Sequence, residues 1–281
     1  MTPAEDAQLA LLLEVAGTPK PGNVDRDRDF PDLRFDHFLA GAVGAGPGLR
    51  AAQKGAPVGE AFEEAVAGMS QQEGGNTQFG ALLLLVPLVR AAVEHPDGKP
   101  TPEGVARVVK NTTVEDAANF FRAFDHADVF VDDPPEDAED LDVRRGSDAI
   151  PAVENRGVTL SDVMAMGDDE DGVAREWTTD FERTFWAANR LAELDGPASA
   201  RGARVYLELL GREPDTLVAK KHGQKTAESV RVRAQQALEA GPEVVEAFAD
   251  SLVKDGVNPG TTADITAGGL FVALARGEVS V

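Results

Sequence analysis

The chain has 281 residues, 42% of them hydrophobic, and so can bury a full core, but its 49 acidic against 27 basic residues leave a net charge of −22. It contains no cysteine, which excludes disulfides, thiolate metal sites and cysteine nucleophiles. The negative field, with no interleaved aromatic and basic stretch, argues against a nucleic-acid partner. Lysine is scarce beside arginine, and acidic runs such as "DDPPEDAEDLD" are long. That balance suits a cytoplasm at molar salt, where screening over a few ångströms relieves self-repulsion. "LALLLEVAG" is too short and too acidic in its flank for a signal peptide, and "ALLLLVPLV" is too short to span a bilayer. The expectation is a cytoplasmic protein of halophilic type with no membrane partner.

In chain order, Thr2, Pro3 and Glu5 have capping-box spacing and predict a first helix over 3–15, ending at Gly17. "GTPKPGNVDRD", residues 17–27, follows. Pro19 and Pro21 fix their own φ and push Thr18 and Lys20 toward extended conformations, giving a stiff rod with Gly22 as its turning point. Taken alone, it reads as a helix stop and charged connector. Apolar residues at 3.6-residue spacing then predict helices over 35–52, 59–71, 80–93, 113–127, 172–194, 198–210, 224–240, 243–254 and 261–275. Strand-like alternation is almost absent. The fold class expected is all-α, a single globular multi-helix bundle over 1–281, with an exposed acidic loop at about 132–158 in which "RRGSDA" is embedded.

Three junctions share a grammar of glycine or proline, a small polar residue and a helix start: "TPKPGNVD" at 18–25, "EGGNTQFG" at 73–80 and "NPGTTAD" at 258–264. Uncovered backbone N–H groups at such junctions hold phosphate oxygens, although Asn, Thr and Gly are also ordinary capping residues. A fourth feature, "AKKHGQKTAESVRVR" at 219–233, gathers Lys220, Lys221, Lys225 and His222 in an acidic protein. It reads as an anion site or as a partner for the acidic loop. Asp25, Asp215 and Asp264 are hard oxygen donors suited to a polyphosphate's Mg²⁺. Asp264 lies among small and apolar residues, so its carboxylate needs a cation, a ligand cavity or a buried arginine such as Arg231.

"TPKPGNVD", "GGNTQFG" and "NPGTTADITAGGLFVAL", in this order, resemble the triphosphoribosyl-dephospho-CoA synthase family over nearly the whole chain. The family pattern runs approximately TPKPGLVD, GGVNTHKG and SPGGSAD, with an Asp-Thr step matched here by Asp215 and Thr216 and an RGEA-like block set against "RRGSDA". Gln78 and Phe79 stand where that pattern has His and Lys. The resemblance implies an enzyme that joins the 2′-hydroxyl of dephospho-CoA to C1 of the ribose of ATP, keeping the triphosphate and expelling adenine. It implies Mg²⁺ with ATP as substrate, and in that light Lys20 reads as a phosphate contact and Asp25 as a metal or sugar ligand; because the flanking prolines fix its backbone, Lys20 is expected to contribute little to stability. Gly74, Gly75, Asn76, Thr77, Lys220, Lys221, Gly260 and Thr261 are the expected nucleotide contacts. Asp25, Asp215 and Asp264 are the expected metal ligands, and Asp264, Asp25 and His222 the expected catalytic groups. A different acceptor on the same fold, a non-catalytic nucleotide-binding regulator and a homo-oligomeric state are all left open.

Overall fold

Thr2 and Glu5 close the capping box that their spacing predicts. The Thr2 hydroxyl accepts from the Glu5 N–H at 3.4 Å, and the Glu5 carboxylate accepts from the Thr2 N–H at 2.8 Å. The computed structural model describes residues 1–131, 133, 134, 136–167 and 170–281. Its helices are α1 (Pro3–Ala16), α2 (Phe35–Gly44), α3 (Gly46–Gln53), α4 (Val58–Met69), α5 (Phe79–Glu94), α6 (Pro102–Lys110), α7 (Val114–Ala123), α8 (Ile150–Arg156), α9 (Leu160–Gly167), α10 (Gly172–Thr178), α11 (Glu182–Glu193), α12 (Ala198–Arg212), α13 (Thr216–His222), α14 (Gln224–Ala240), α15 (Pro242–Lys254) and α16 (Gly260–Ala275). Two 3₁₀ stretches, Glu136–Leu141 and Val143–Ala149, precede α8. The only β pairing among the described residues is an isolated bridge between Asp25 and Arg28. The fold is all-α.

Helices α5 and α16 are buried along nearly their whole length. A helix that is apolar all round has to sit inside. Accordingly α16 packs against α1, α5, α11 and α12, and α5 also against α3, α4 and α6. A second cluster is built from α12 to α15 around Tyr206, Leu210, Val230, Phe248 and Leu252. The two clusters meet on α12, where Val205 and Leu209 belong to the first and Tyr206 and Leu210 to the second.

Three expected elements come out differently. The helix over 35–52 divides into α2 and α3 because Pro47 has no N–H to carry the ladder across the junction. The helix over 172–194 divides at Asp180 and Phe181, both left-handed at φ 52° and 62°. Burial of the Phe181 ring, and the Glu176 carboxylate accepting from the Thr184 N–H at 2.9 Å, offset that backbone cost. The described residues of 132–158 do not form one exposed loop: they include two 3₁₀ turns and α8, Leu141, Ala149 and Val153 are buried, and the Ser147 side chain bonds Asp125. Asp132 and Pro135 of that stretch lie outside the described residues.

At the α2–α4 crossing the backbones touch. A Cβ at Gly68 would lie 2.0 Å from the Gly44 carbonyl oxygen, and one at Gly44 2.2 Å from that of Gly68. Gly68→Ala is therefore expected to lower unfolding free energy by about 1 to 3 kcal/mol in urea denaturation. Unchanged stability would mean that the crossing opens freely.

Candidate functional site

The starts of α5 and α16 converge on a cavity of about 890 Å³. The loop Gly74–Gln78 forms one wall, and Gly260, Thr261 and Asp264 of α16 form a second. Asp171, Lys220 and Lys221 form a third, Glu14 and Asn23 edge the interior, and Phe38, Phe120, Phe124, Phe130 and Met164 give it an apolar side. A lining with a charged part and an aromatic part suits a ligand with a charged end and a flat apolar end.

Asp264 is the acid of α16 in this lining. Glycine is required opposite it, because a Cβ at Gly80 would come within 2.1 Å of its Oδ2. Burial raises the Asp264 carboxyl well above the usual carboxylate range, and the nearby charges of Glu14, Asp215 and Asp171 raise it further, against the opposing Ala81 N–H. A positive ligand group there would remove the conflict. Asp171 accepts from the Val173 and Ala174 N–H groups at 2.8 and 3.1 Å through one oxygen and from Lys220 Nζ at 2.9 Å through the other. The N-cap of α10 thereby aims a lysine along the cavity wall. Thr216 and Thr261 hydroxyls meet at 3.0 Å, tying α13 to α16.

Over residues 1–280 the chain matches the model of the CitG family, ATP:dephospho-CoA triphosphoribosyl transferase. The chain belongs to that family. In structure it is similar to a candidate triphosphoribosyl-dephospho-CoA synthase from Archaeoglobus fulgidus, at 30% identity and a TM-score of 0.70, over 87% of this chain and 99% of that one. No curated protein matches it in sequence. No described helix is long and apolar enough to cross a membrane.

The structure brings most of the expected site residues to the cavity and withdraws others. Gly74, Gly75, Asn76, Thr77, Lys220, Lys221, Gly260, Thr261 and Asp264 all line it. Lys20, Asp25, Asp215 and His222 do not. Lys20 is fully buried behind the wall, where its Nζ donates to Glu14 Oε1 at 2.5 Å and Asn23 Oδ1 at 3.0 Å, 5.8 Å from the Tyr206 ring centre. Asp25 accepts from the Lys20 N–H at 3.0 Å and the Asp27 N–H at 2.9 Å, so it holds the rod's own backbone rather than a metal or sugar. Asp215 caps two helices, accepting from Val218 N–H at 3.1 Å and from the Thr262 N–H and hydroxyl at 2.8 and 2.7 Å. With both oxygens so engaged, it is a brace between α13 and α16, not a metal ligand. His222 is exposed at the end of α13, away from the cavity wall. Arg231 is no partner for Asp264 either, since it pairs with Glu228.

Sequence reasoning missed Glu14 and Asp171. Glu14 looks like an ordinary helix residue, yet it lines the cavity, and burial raises its carboxyl despite Lys20. Asn23 donates to Asn258 Oδ1 at 2.9 Å, joining the first and third motifs across the site. Phe79, in place of the family lysine, packs against Phe124 at 4.9 Å and Phe62 at 5.0 Å between ring centres. Gln78 is buried with neither amide atom bonded, and the Thr77 hydroxyl also lacks a partner. Such groups cost about 1 to 3 kcal/mol each when left unpaired.

Proposed function

We propose that this chain, acting as one domain, transfers the triphosphoribosyl group of ATP to a hydroxyl of dephospho-CoA, with Asp264 at the reacting carbon. The acceptor oxygen forms a bond to ribose C1, the C1–N9 bond breaks, and adenine departs with that electron pair and the hydroxyl proton. The ring carries positive charge while both bonds are weak, so a carboxylate beside C1 lowers the barrier. The observation that carries this reading is the Asp264 carboxyl, which lines the cavity pressed against Gly80 and crowded by the charges of Glu14, Asp215 and Asp171.

Lys220, Lys221 and the positive end of the α16 dipole at Gly260 and Thr261 supply favourable charge for the triphosphate. No cluster of three metal-binding side chains is present among the described residues. A Mg²⁺ carried in by the triphosphate needs only one or two carboxylates, and Asp264 with Glu14 fits that requirement. Bound there, the ion neutralises phosphate charge. The acidic surface further supports a high-salt cytoplasm as the working environment.

The test is incubation with ATP, Mg²⁺ and dephospho-CoA in molar salt, with free adenine measured. Adenine should appear in step with dephospho-CoA consumption. Release with another acceptor only would move the reading to the same chemistry on a different hydroxyl, and bound ATP without release would make the chain a nucleotide-binding regulator. ATP at a hundredfold excess over its Kd is expected to add about 2.7 kcal/mol of stability, read as a raised Tm. Identical melting curves with and without ATP would count against any nucleotide site.

A further inference from the structure

We propose that the Gln78 amide, with the Thr77 hydroxyl beside it, reads the N6–N7 edge of an adenine base in the cavity and so sets purine specificity. This rests on the transferase reading of the site. Gln78 is 4% exposed, lines the cavity, and has neither Oε1 nor Nε2 hydrogen-bonded. The Thr77 hydroxyl is equally unpartnered. The amide is not used to cap α5, since Asn76 Oδ1 takes the Phe79 N–H at 3.1 Å. Gly41 of α2 backs these atoms: a Cβ there would lie 2.6 Å from Thr77 Oγ1 and 3.0 Å from Gln78 Oε1, so in the ligand-free protein both oxygens are closed off against α2, and a base meets them once the two side chains turn toward the cavity that they line.

Buried polar groups are nearly always paired, so a primary amide with both ends free is shaped for a partner that arrives. It offers a donor and an acceptor side by side in one plane, and a hydroxyl next to it can act either way. Phosphate would answer the NH₂ but face the amide carbonyl with like partial charge, and a cation would leave the NH₂ unanswered. The N6–N7 edge of adenine presents the complementary pair, whereas a 6-oxopurine presents two acceptors there. Both ATP and dephospho-CoA carry adenine. If the base is that of ATP, the Gln78 N–H also supports the nitrogen system that leaves, and turnover depends on it. If the base belongs to dephospho-CoA, Gln78 acts on acceptor affinity.

Calorimetry in molar salt on the wild type and Gln78→Met, with ATP, ITP, dephospho-CoA and the inosine form of dephospho-CoA, separates the two sources. The wild type should bind one adenine ligand about tenfold or more tightly than its hypoxanthine counterpart. Gln78→Met should bring that ratio close to one, and the pair affected identifies the base. Because methionine removes two unpaired polar atoms at similar volume, the ligand-free variant should melt no lower than the wild type. The proposal is overturned if neither pair is discriminated by the wild type, if the ratio survives in the variant, or if the ligand-free variant melts markedly lower. Absence of adenine release by the wild type, with the base preference intact, would instead remove the transferase reading.

Discussion

Asp264→Asn is expected to reduce adenine release by about 10²- to 10³-fold while raising the Tm of the ligand-free protein at neutral pH. The two effects share one cause. Burial and the charges of Glu14, Asp215 and Asp171 hold the Asp264 carboxyl above its usual range, so the folded protein favours the neutral form. Its stability contribution is complete below the unfolded carboxyl value, about 3.9, and is lost as pH rises through the higher folded value. Asparagine keeps the volume that Gly80 accommodates and is never ionised, so the stability penalty at neutral pH disappears. The reaction meanwhile loses a carboxyl that can ionise as positive charge develops on the ribose ring beside it. Comparing melting curves across pH with adenine release per folded molecule decides the matter. A less stable variant with retained turnover would falsify the catalytic role and leave Asp264 as packing for α16.

The three motifs are legible in the sequence because glycine and proline report backbone geometry directly. The loop Gly74–Gln78 and the start of α16 at Gly260 do face one cavity. Long apolar helices such as α5 and α16 are equally legible, since their burial follows from composition alone. Short helices are harder: α6, α9 and α13 run 9, 8 and 7 residues, too few turns for periodicity to separate from chance. Side-chain partnerships are hardest. Asp171 sits in the run "GDDEDG", where nothing local distinguishes a cavity acid from a solvated one. Gln78 was visible as a departure from the family pattern, but only its burial without partners turns that departure into a recognition element. Lys20 looked like a phosphate contact because the rod is visible in sequence and its neutralising partner, Glu14 one helix back, is not.

Lys20→Met is accordingly expected to destabilise the protein by about 3 to 5 kcal/mol in urea denaturation near neutral pH, with little change in ATP affinity per folded molecule. The reasoning turns on what is left behind. Lys20 is fully enclosed, and its ammonium is the cation bonded to Glu14, which lies within reach of the Asp25 and Asp264 charges. Removing it leaves an uncompensated carboxylate in a site already crowded with acids. Burial raises the Glu14 carboxyl while Lys20 opposes that rise, so the variant's Glu14 should titrate higher still. An acid with a raised folded pKa favours the fold at low pH and opposes it once ionised. The deficit relative to the wild type should therefore shrink as pH falls through the Glu14 value. For the same reason Lys20→Met with Glu14→Gln should be less destabilised than Lys20→Met alone, a coupling that a double-mutant cycle reads directly. A single variant with wild-type stability and a tenfold weaker ATP Kd would return Lys20 to the role of phosphate contact.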